Sequence, residues 1–318
     1  MSLPADFQAL HPECQAFVRD RINTQMRGDD DWNVTRKAKS EATAKAAKEA
    51  AYDFKGTRGE ITIPSPHVKE GLRAWVYTPA NGPKNPPIVV YFHGGGWVLC
   101  SLEDVDTFVK MLTDTANCIV VSVDYRLAPE HKFPAAIDDC ETAAKWVLGN
   151  KEFVGGSTLS KVGVVGESAG GHLSACVSHD VPGLAFQVLI YPVTDMRIDT
   201  RESYKRYAEG YVLTTEAMYW FVNHFLHNEA ERSDPRASPI LRTKFDHLPP
   251  ALYVAATHDV LFDEGMEYAK KLREAGVTIE TLMLEGITHC TVYFPNYFKE
   301  TNAKICGKVA EFVKKHSE

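Results

Sequence analysis

Ser168 stands in the run Val162-Gly163-Val164-Val165-Gly166-Glu167-Ser168-Ala169-Gly170-Gly171, a G-x-S-x-G pattern that follows an apolar stretch and precedes small, helix-compatible residues. A serine hydroxyl becomes an effective nucleophile when a base takes its proton, and a sharp strand-to-helix turn projects it for that purpose. Glycine on either side lets strand and helix approach without Cβ clashes. The free N–H groups opening the following helix add positive potential for a developing anion. Two rival uses of a glycine-rich turn fail here: this stretch contains neither the G-x-G-x-x-G of a dinucleotide site nor the G-K-[ST] of a phosphate loop. Ser168 is therefore the predicted nucleophile.

A serine of this kind needs preorganised donors for the oxyanion that forms when it attacks a carbonyl. His93-Gly94-Gly95-Gly96-Trp97 follows another apolar run and lies upstream of the serine, where backbone N–H groups in a glycine loop serve that role. The predicted donors are Gly94, Gly95 and the N–H of Ala169. The chain order for such an elbow is serine, acid, histidine, so His93 comes too early to be the base. It reads as a structural residue that shapes the loop by hydrogen bonding.

Two further segments extend the pattern. Asp124-Tyr125-Arg126-Leu127-Ala128-Pro129-Glu130-His131 is followed by Phe133-Pro134-Ala135-Ala136, and Asp234-Pro235-Arg236-Ala237-Ser238-Pro239 comes later. With the two motifs above, they resemble the hormone-sensitive-lipase-like (bacterial family IV-type) esterases of the α/β-hydrolase fold. The likeness runs from about residue 60 to the end and is weaker over the N-terminal helices. It implies a cap over the active site and hydrolysis of carboxylic esters, usually of short acyl chains, without a cofactor.

Chain order then works by elimination. Only His289 and His316 follow an acid that itself follows Ser168 at a strand end. His316, beside two lysines near the C-terminus, suits the last turn of a helix. His289 ends Leu284-Glu285-Gly286-Ile287-Thr288-His289 after the last expected strand and is the predicted base. Asp259, in Ala256-Thr257-His258-Asp259-Val260-Leu261, is the predicted acid. The family has an aspartate here, commonly followed by Pro-Leu and then Asp-Glu-Gly. This chain keeps Leu261 and Asp263-Glu264-Gly265 but carries Val260 in place of proline, and Cys290 follows the histidine where glycine is common. Both departures bear on loop shape, and neither removes a functional group. The same triad serves amidases, formamidases and lactonases. Plant gibberellin receptors resemble this fold with the catalytic histidine replaced, so His289 argues for catalysis over a non-catalytic small-molecule receptor.

Positioning these residues requires an α/β sheet. Short apolar runs at 88–92, 119–123, 162–165, 186–191 and 252–255 suit strands buried on both faces of a parallel sheet. Helical stretches at about 103–116, 134–148, 169–179 and 263–275 separate them. Earlier strands near 61–63 and at 72–77 are expected to pair antiparallel. A strand at 279–284 and a helix near 297–315 complete the expected α/β-hydrolase fold, an eight-stranded, mostly parallel sheet with helices on both faces and a helical cap. The expected division is 1–55, the N-terminal helical part of the cap; 56–192 and 245–318, the catalytic core; and 193–244, the inserted helical part of the cap, too long for an ordinary connection. Tyr204, Tyr207, Tyr211, Tyr219, Trp220 and Phe221 are candidates to shape the pocket, with packing of cap on core the plainer role for any one. Gly28 with Asp29, Asp30 and Asp31 reads as a solvated turn before a helix at 38–51. Glu167 either reaches across the site or is an ordinary surface charge.

Composition narrows the partners. Lys and Arg number 35 against 42 Asp and Glu, a net charge of −7, which excludes a general nucleic-acid footprint. No run approaches the roughly 18 to 20 apolar residues of a membrane span. The start, MSLPADFQAL, lacks the basic segment and apolar run of a signal peptide, so a cytoplasmic setting is expected. Seven cysteines, at 14, 100, 118, 140, 176, 290 and 306, form no CxxC pair and read as reduced thiols. His224 and His227 lack a third convergent ligand, so no metal is expected, and the resemblance implies no cofactor. The expected partner is a small-molecule ester. An exposed edge strand at 279–284 would allow a homodimer to pair.

Overall fold

The computed structural model describes residues 3–4, 6–21, 26–198 and 200–318. Its frame is one sheet of eight strands: β1 (Thr57–Ile63), β2 (Leu72–Thr78), β3 (Ile88–Phe92), β4 (Ile119–Val123), β5 (Val162–Glu167), β6 (Gln187–Ile190), β7 (Ala251–Ala256) and β8 (Ile279–Leu284). They lie in the order β1-β2-β4-β3-β5-β6-β7-β8. β1 pairs antiparallel with β2, as expected from their short connection, and β2 also pairs antiparallel with β4. Every pairing from β4 onward to β8 is parallel. All residues of β3, β4, β5, β6 and β7 are buried, which is why these strands read as unbroken apolar runs.

Nine α-helices accompany the sheet among the described residues: α1 (Pro12–Arg21), α2 (Trp32–Ala50), α3 (Leu102–Ala116), α4 (Ala135–Gly149), α5 (Ala169–Asp180), α6 (Ser203–Arg206), α7 (Thr215–Phe225), α8 (Phe262–Glu274) and α9 (Lys299–Lys315). α3 packs on α9 and α4 on α5, so helices cover both faces of the sheet. α3 shows the reason: Leu102, Val105, Phe108, Val109 and Leu112 recur at helical spacing and are all buried. Helical crossovers between parallel strands bring the carboxyl ends of β3, β5, β7 and β8 to one edge of the sheet. The loops that leave those ends carry residues 93–97, Ser168, Asp259 and His289.

α2 begins well before the expected start. Asp31 caps it, accepting the N–H groups of Asn33 and Val34 at 3.0 Å each. The acidic run is also more than a solvated turn. The Gly28 N–H donates to Glu216 Oε1 at 2.8 Å, and Trp220 Nε1–H donates to the Asp30 carbonyl at 2.8 Å. These bonds, with Tyr211 donating to Asp6, tie the N-terminal segment to the segment inserted after β6. Among the described residues no helix is long and apolar enough to cross a membrane, no group of His, Cys, Asp and Glu could hold a metal ion, and all seven cysteines are free.

Candidate active site

The turn from β5 into α5 holds Ser168 at φ 57° and ψ −120°, backbone that a residue with a Cβ adopts only under strain. Surrounding bonds impose it: the Ser168 N–H donates to the Ile190 carbonyl at 2.9 Å, and the Ser168 carbonyl accepts from His172 N–H at 3.0 Å. The flanking glycines are required by close approach. A Cβ on Gly170 would fall onto the carbonyl oxygen of Phe92, and one on Gly166 onto that of Gly170. The result aims the Ser168 hydroxyl out of the carboxyl end of β5.

His289, on the loop after β8, meets that hydroxyl. Ser168 Oγ lies 2.8 Å from His289 Nε2, and His289 Nδ1 lies 2.6 Å from Asp259 Oδ2. With Nδ1–H donating to the carboxylate, Nε2 is left to accept the serine proton. Asp259 is fixed in turn, because its other oxygen accepts the Leu261 N–H at 3.1 Å. All three side chains are buried. Val260, which stands where the family commonly has proline, leaves this line intact; its carbonyl accepts from Ser203 Oγ at 2.6 Å. The base loop is braced from α1: Thr288 N–H donates to Cys14 Sγ at 3.2 Å, and burial pushes that thiol up to about 11.

The oxyanion loop differs from expectation at one residue. The Gly94 N–H donates to Glu167 Oε1 at 2.6 Å, so it is already committed and cannot serve as an oxyanion donor. Among the described residues no acceptor takes the N–H groups of Gly95, Gly96 or Ala169. Ala169 is the first residue of α5, where an N–H has no partner within the helix. Gly95 at φ 98° and Gly96 at φ 59° take the left-handed backbone that glycine allows, and both residues line the same cavity as Ser168. Gly96 was within the motif all along; which of its N–H groups is free depends on these dihedrals.

Glu167 resolves as a buried strut. It accepts from Gly94 N–H, from Tyr293 OH at 2.6 Å and from Tyr91 OH, with no cation beside it. Burial pushes its carboxyl up to about 7 against the pull of these donors. His93 is structural, as read: its ring stacks on Tyr125 at 4.4 Å, and Tyr125 OH donates to the His93 carbonyl at 2.7 Å. Trp97 stacks on Phe225 of α7 at 4.5 Å and donates to His172 Nδ1 at 3.1 Å. Burial holds His172 down to about 4, keeping the ring neutral so that it can accept there while Nε2–H donates to the Arg236 carbonyl at 3.1 Å. The Asp234–Pro239 segment is thereby tied to the helix that follows the nucleophile.

An apolar cavity of about 970 Å³, its open mouth included, lies over Ser168 and His289. Of the six aromatic candidates only Phe221 lines it. Tyr204 donates to Glu264 at 2.9 Å, Tyr207 and Tyr211 pack on His258, and Trp220 bonds Asp30. Phe17, Val18 and Met26 from the N-terminal segment supply wall that the sequence did not reveal. His258 lies 3.6 Å from Asp6, away from Ser168. The nitrogens of His224 and His227 sit on the carbonyls of Trp220 and Phe133, at 2.8 and 3.1 Å.

A family model described as the alpha/beta hydrolase fold matches residues 89–293. The carboxylesterase NlhH of Mycobacterium tuberculosis is 39% identical over 228 residues, 69% of this chain and 70% of its own length. The ethyl acetate hydrolase of Pseudomonas putida is 37% identical over 207 residues, 63% of this chain and 64% of its own length. The solved structure of a hyperthermophilic esterase from the archaeon Pyrobaculum calidifontis superposes with a TM-score of 0.87 at 34% identity, covering 95% of this chain and 98% of that one. The chain belongs to the α/β-hydrolase fold family, among its hormone-sensitive-lipase-like esterases.

Proposed function

We propose that this chain is a serine carboxylesterase for short-chain acyl esters, with Ser168 as nucleophile, His289 as general base and acid, and Asp259 as the residue that orients and supports the imidazole. The observation that carries this reading is the continuous line from Ser168 Oγ to His289 Nε2 at 2.8 Å and from His289 Nδ1 to Asp259 Oδ2 at 2.6 Å, opening on an apolar cavity. His289 takes the hydroxyl proton as Oγ bonds to the carbonyl carbon. The N–H groups of Gly95, Gly96 and Ala169 hold the oxyanion. Collapse of the intermediate expels the alcohol, which leaves with the proton from His289. Water then attacks the acyl-enzyme with His289 again taking the proton, and the carboxylic acid departs.

Residues 1–55 and 193–244 act together as a cap over a core of 56–192 and 245–318. Bonds from Gly28 and Asp30 to the helix at 215–225 support this joint action. An apolar wall that includes Phe221, Met218 and Leu213 suits an acyl group, and the likeness to an ethyl acetate hydrolase favours a short one. Turnover of p-nitrophenyl butyrate tests the reading. Ser168→Ala lowers kcat by about 10⁴-fold or more, and an alkyl phosphonate labels Ser168 in the unaltered chain only. Near-normal turnover by the variant, or labelling elsewhere, would refute it.

A further inference from the structure

The cavity wall carries a charge that ester hydrolysis does not use. Arg21 at the end of α1 and Lys39 on α2 both line it, and no carboxylate does among the described residues. Lys39 is therefore a cation in a wall that holds no described carboxylate, in a chain of net charge −7. Lys39 Nζ lies 4.7 Å from the ring centroid of Tyr293 and 4.6 Å from that of Phe294. No described carboxylate stands within ion-pair distance of it. By contrast Arg36, Lys110, Arg126, Arg236 and Lys308 each sit on a carboxylate. The Arg21 guanidinium shares the wall, 4.7 Å from the Phe294 ring.

We propose that the cavity is built for an ester whose non-reacting end is a carboxylate, with Lys39 as the counter-charge. The proposal rests on the esterase reading above. Ring faces stabilise a partly desolvated ammonium only modestly, and an anion arriving in the apolar cavity gains a charge-assisted bond there. Tyr293 links the charge to the neighbourhood of the serine. Tyr293 OH donates to Glu167 Oε1 at 2.6 Å, beside the nucleophile, while Lys39 lies over the ring of the same tyrosine. Lys39 and Ser168 thus share one cavity wall through Tyr293, and a short methylene chain between ester and carboxylate is the link to test.

Paired substrates test this. Monomethyl adipate is compared with methyl hexanoate for a carboxylate on the acyl side, and γ-acetoxybutyrate with butyl acetate for one on the alcohol side. The readout is the kcat/KM ratio within each pair, so that loss of folded protein cancels. In at least one pair the charged ester is preferred by about tenfold. Lys39→Gln collapses that ratio, Lys39→Arg retains it, and added salt shrinks it. Preference for the neutral ester in both pairs, or a ratio unmoved by Lys39→Gln, overturns the proposal. A second readout needs no catalysis. Cys290 lines the same wall, within the electrostatic reach of Lys39. Its alkylation by iodoacetate relative to neutral iodoacetamide falls several-fold in Lys39→Gln; an unchanged ratio again overturns the anion site. Failure to hydrolyse any of the four esters, with the labelling preference intact, would sink the esterase reading and leave the anion site standing.

Discussion

Glu167 Oε1 accepts the backbone N–H of Gly94 at 2.6 Å, and this bond ties the turn that carries Ser168 to the glycine loop at 94–96. The two segments lie 73 positions apart in the chain, at the ends of the adjacent strands β5 and β3. With the Gly94 N–H held, the N–H groups of Gly95 and Gly96, which line the cavity, are the ones left without an acceptor among the described residues. The carboxylate is fully buried, and its hydrogen-bond donors only partly offset the cost of charging it there.

That burial has a measurable pH signature. The folded carboxyl is pushed up to about 7, above the usual carboxylate range of the unfolded chain. Between the two values the folded state holds a proton that the unfolded state releases. Stability from this group is therefore present at low pH and lost as pH rises towards about 7. Urea unfolding of the wild type and of Glu167→Gln, compared at about pH 5 and about pH 8, should show the wild type losing ground to the variant by on the order of 1 kcal/mol or more. Parallel pH dependences would contradict a strongly perturbed Glu167.

Strain at the nucleophile predicts a stability gain on its removal. Ser168 holds φ 57° and ψ −120°, which a glycine adopts without a Cβ clash. Ser168→Gly should be inactive yet more stable than Ser168→Ala, which keeps the Cβ, by about 1 kcal/mol. The greater unfolded-state freedom of glycine opposes the gain and keeps it small. Thermal unfolding of the two variants side by side decides the point, and a less stable glycine variant would mean the turn stores no strain.

The sheet was legible in the sequence because strands buried on both faces leave unbroken apolar runs, and β3 and β4 begin and end where those runs do. Ser168, Asp259 and His289 were each assigned to a strand end by the chemistry expected of them, and the structure sets the three in one hydrogen-bonded line. Gly94 was misread because the direction of an N–H in a glycine loop is set by dihedrals, and the letters Gly94-Gly95-Gly96 do not carry them. The cavity wall was largely hidden. Phe17, Val18 and Lys39 reach it by docking of the N-terminal helices, a tertiary event with no local signal, while Tyr204 and Trp220 look like pocket aromatics but spend their polar tips on Glu264 and Asp30.

Asp259 should be necessary for rate and dispensable for the fold. Its Oδ2 takes the His289 Nδ1–H at 2.6 Å and thereby selects the tautomer that accepts from Ser168. An amide can present its NH₂ to Nδ1 instead and leave the wrong nitrogen protonated. Asp259→Asn should therefore lower kcat by about 10³- to 10⁴-fold, with KM changed far less. Circular dichroism and unfolding curves should remain close to wild type. A loss of less than about tenfold would mean that another acid serves His289.

Cys290 gives direct access to the site by chemistry other than hydrolysis. It is half-buried in the cavity wall beside His289, and the other six cysteines are buried. A small alkylating reagent should therefore modify Cys290 first. Burial raises its thiol above the ordinary value, an effect that Lys39 partly offsets. Because the thiolate is the reacting form, the rate of labelling by iodoacetamide should still be climbing above about pH 9. The added group occupies space that an ester must enter, so loss of activity should track labelling one for one. Cys290→Ser should abolish that inactivation. Full turnover by enzyme whose Cys290 is shown by mass spectrometry to be alkylated would place the substrate path elsewhere in the cavity.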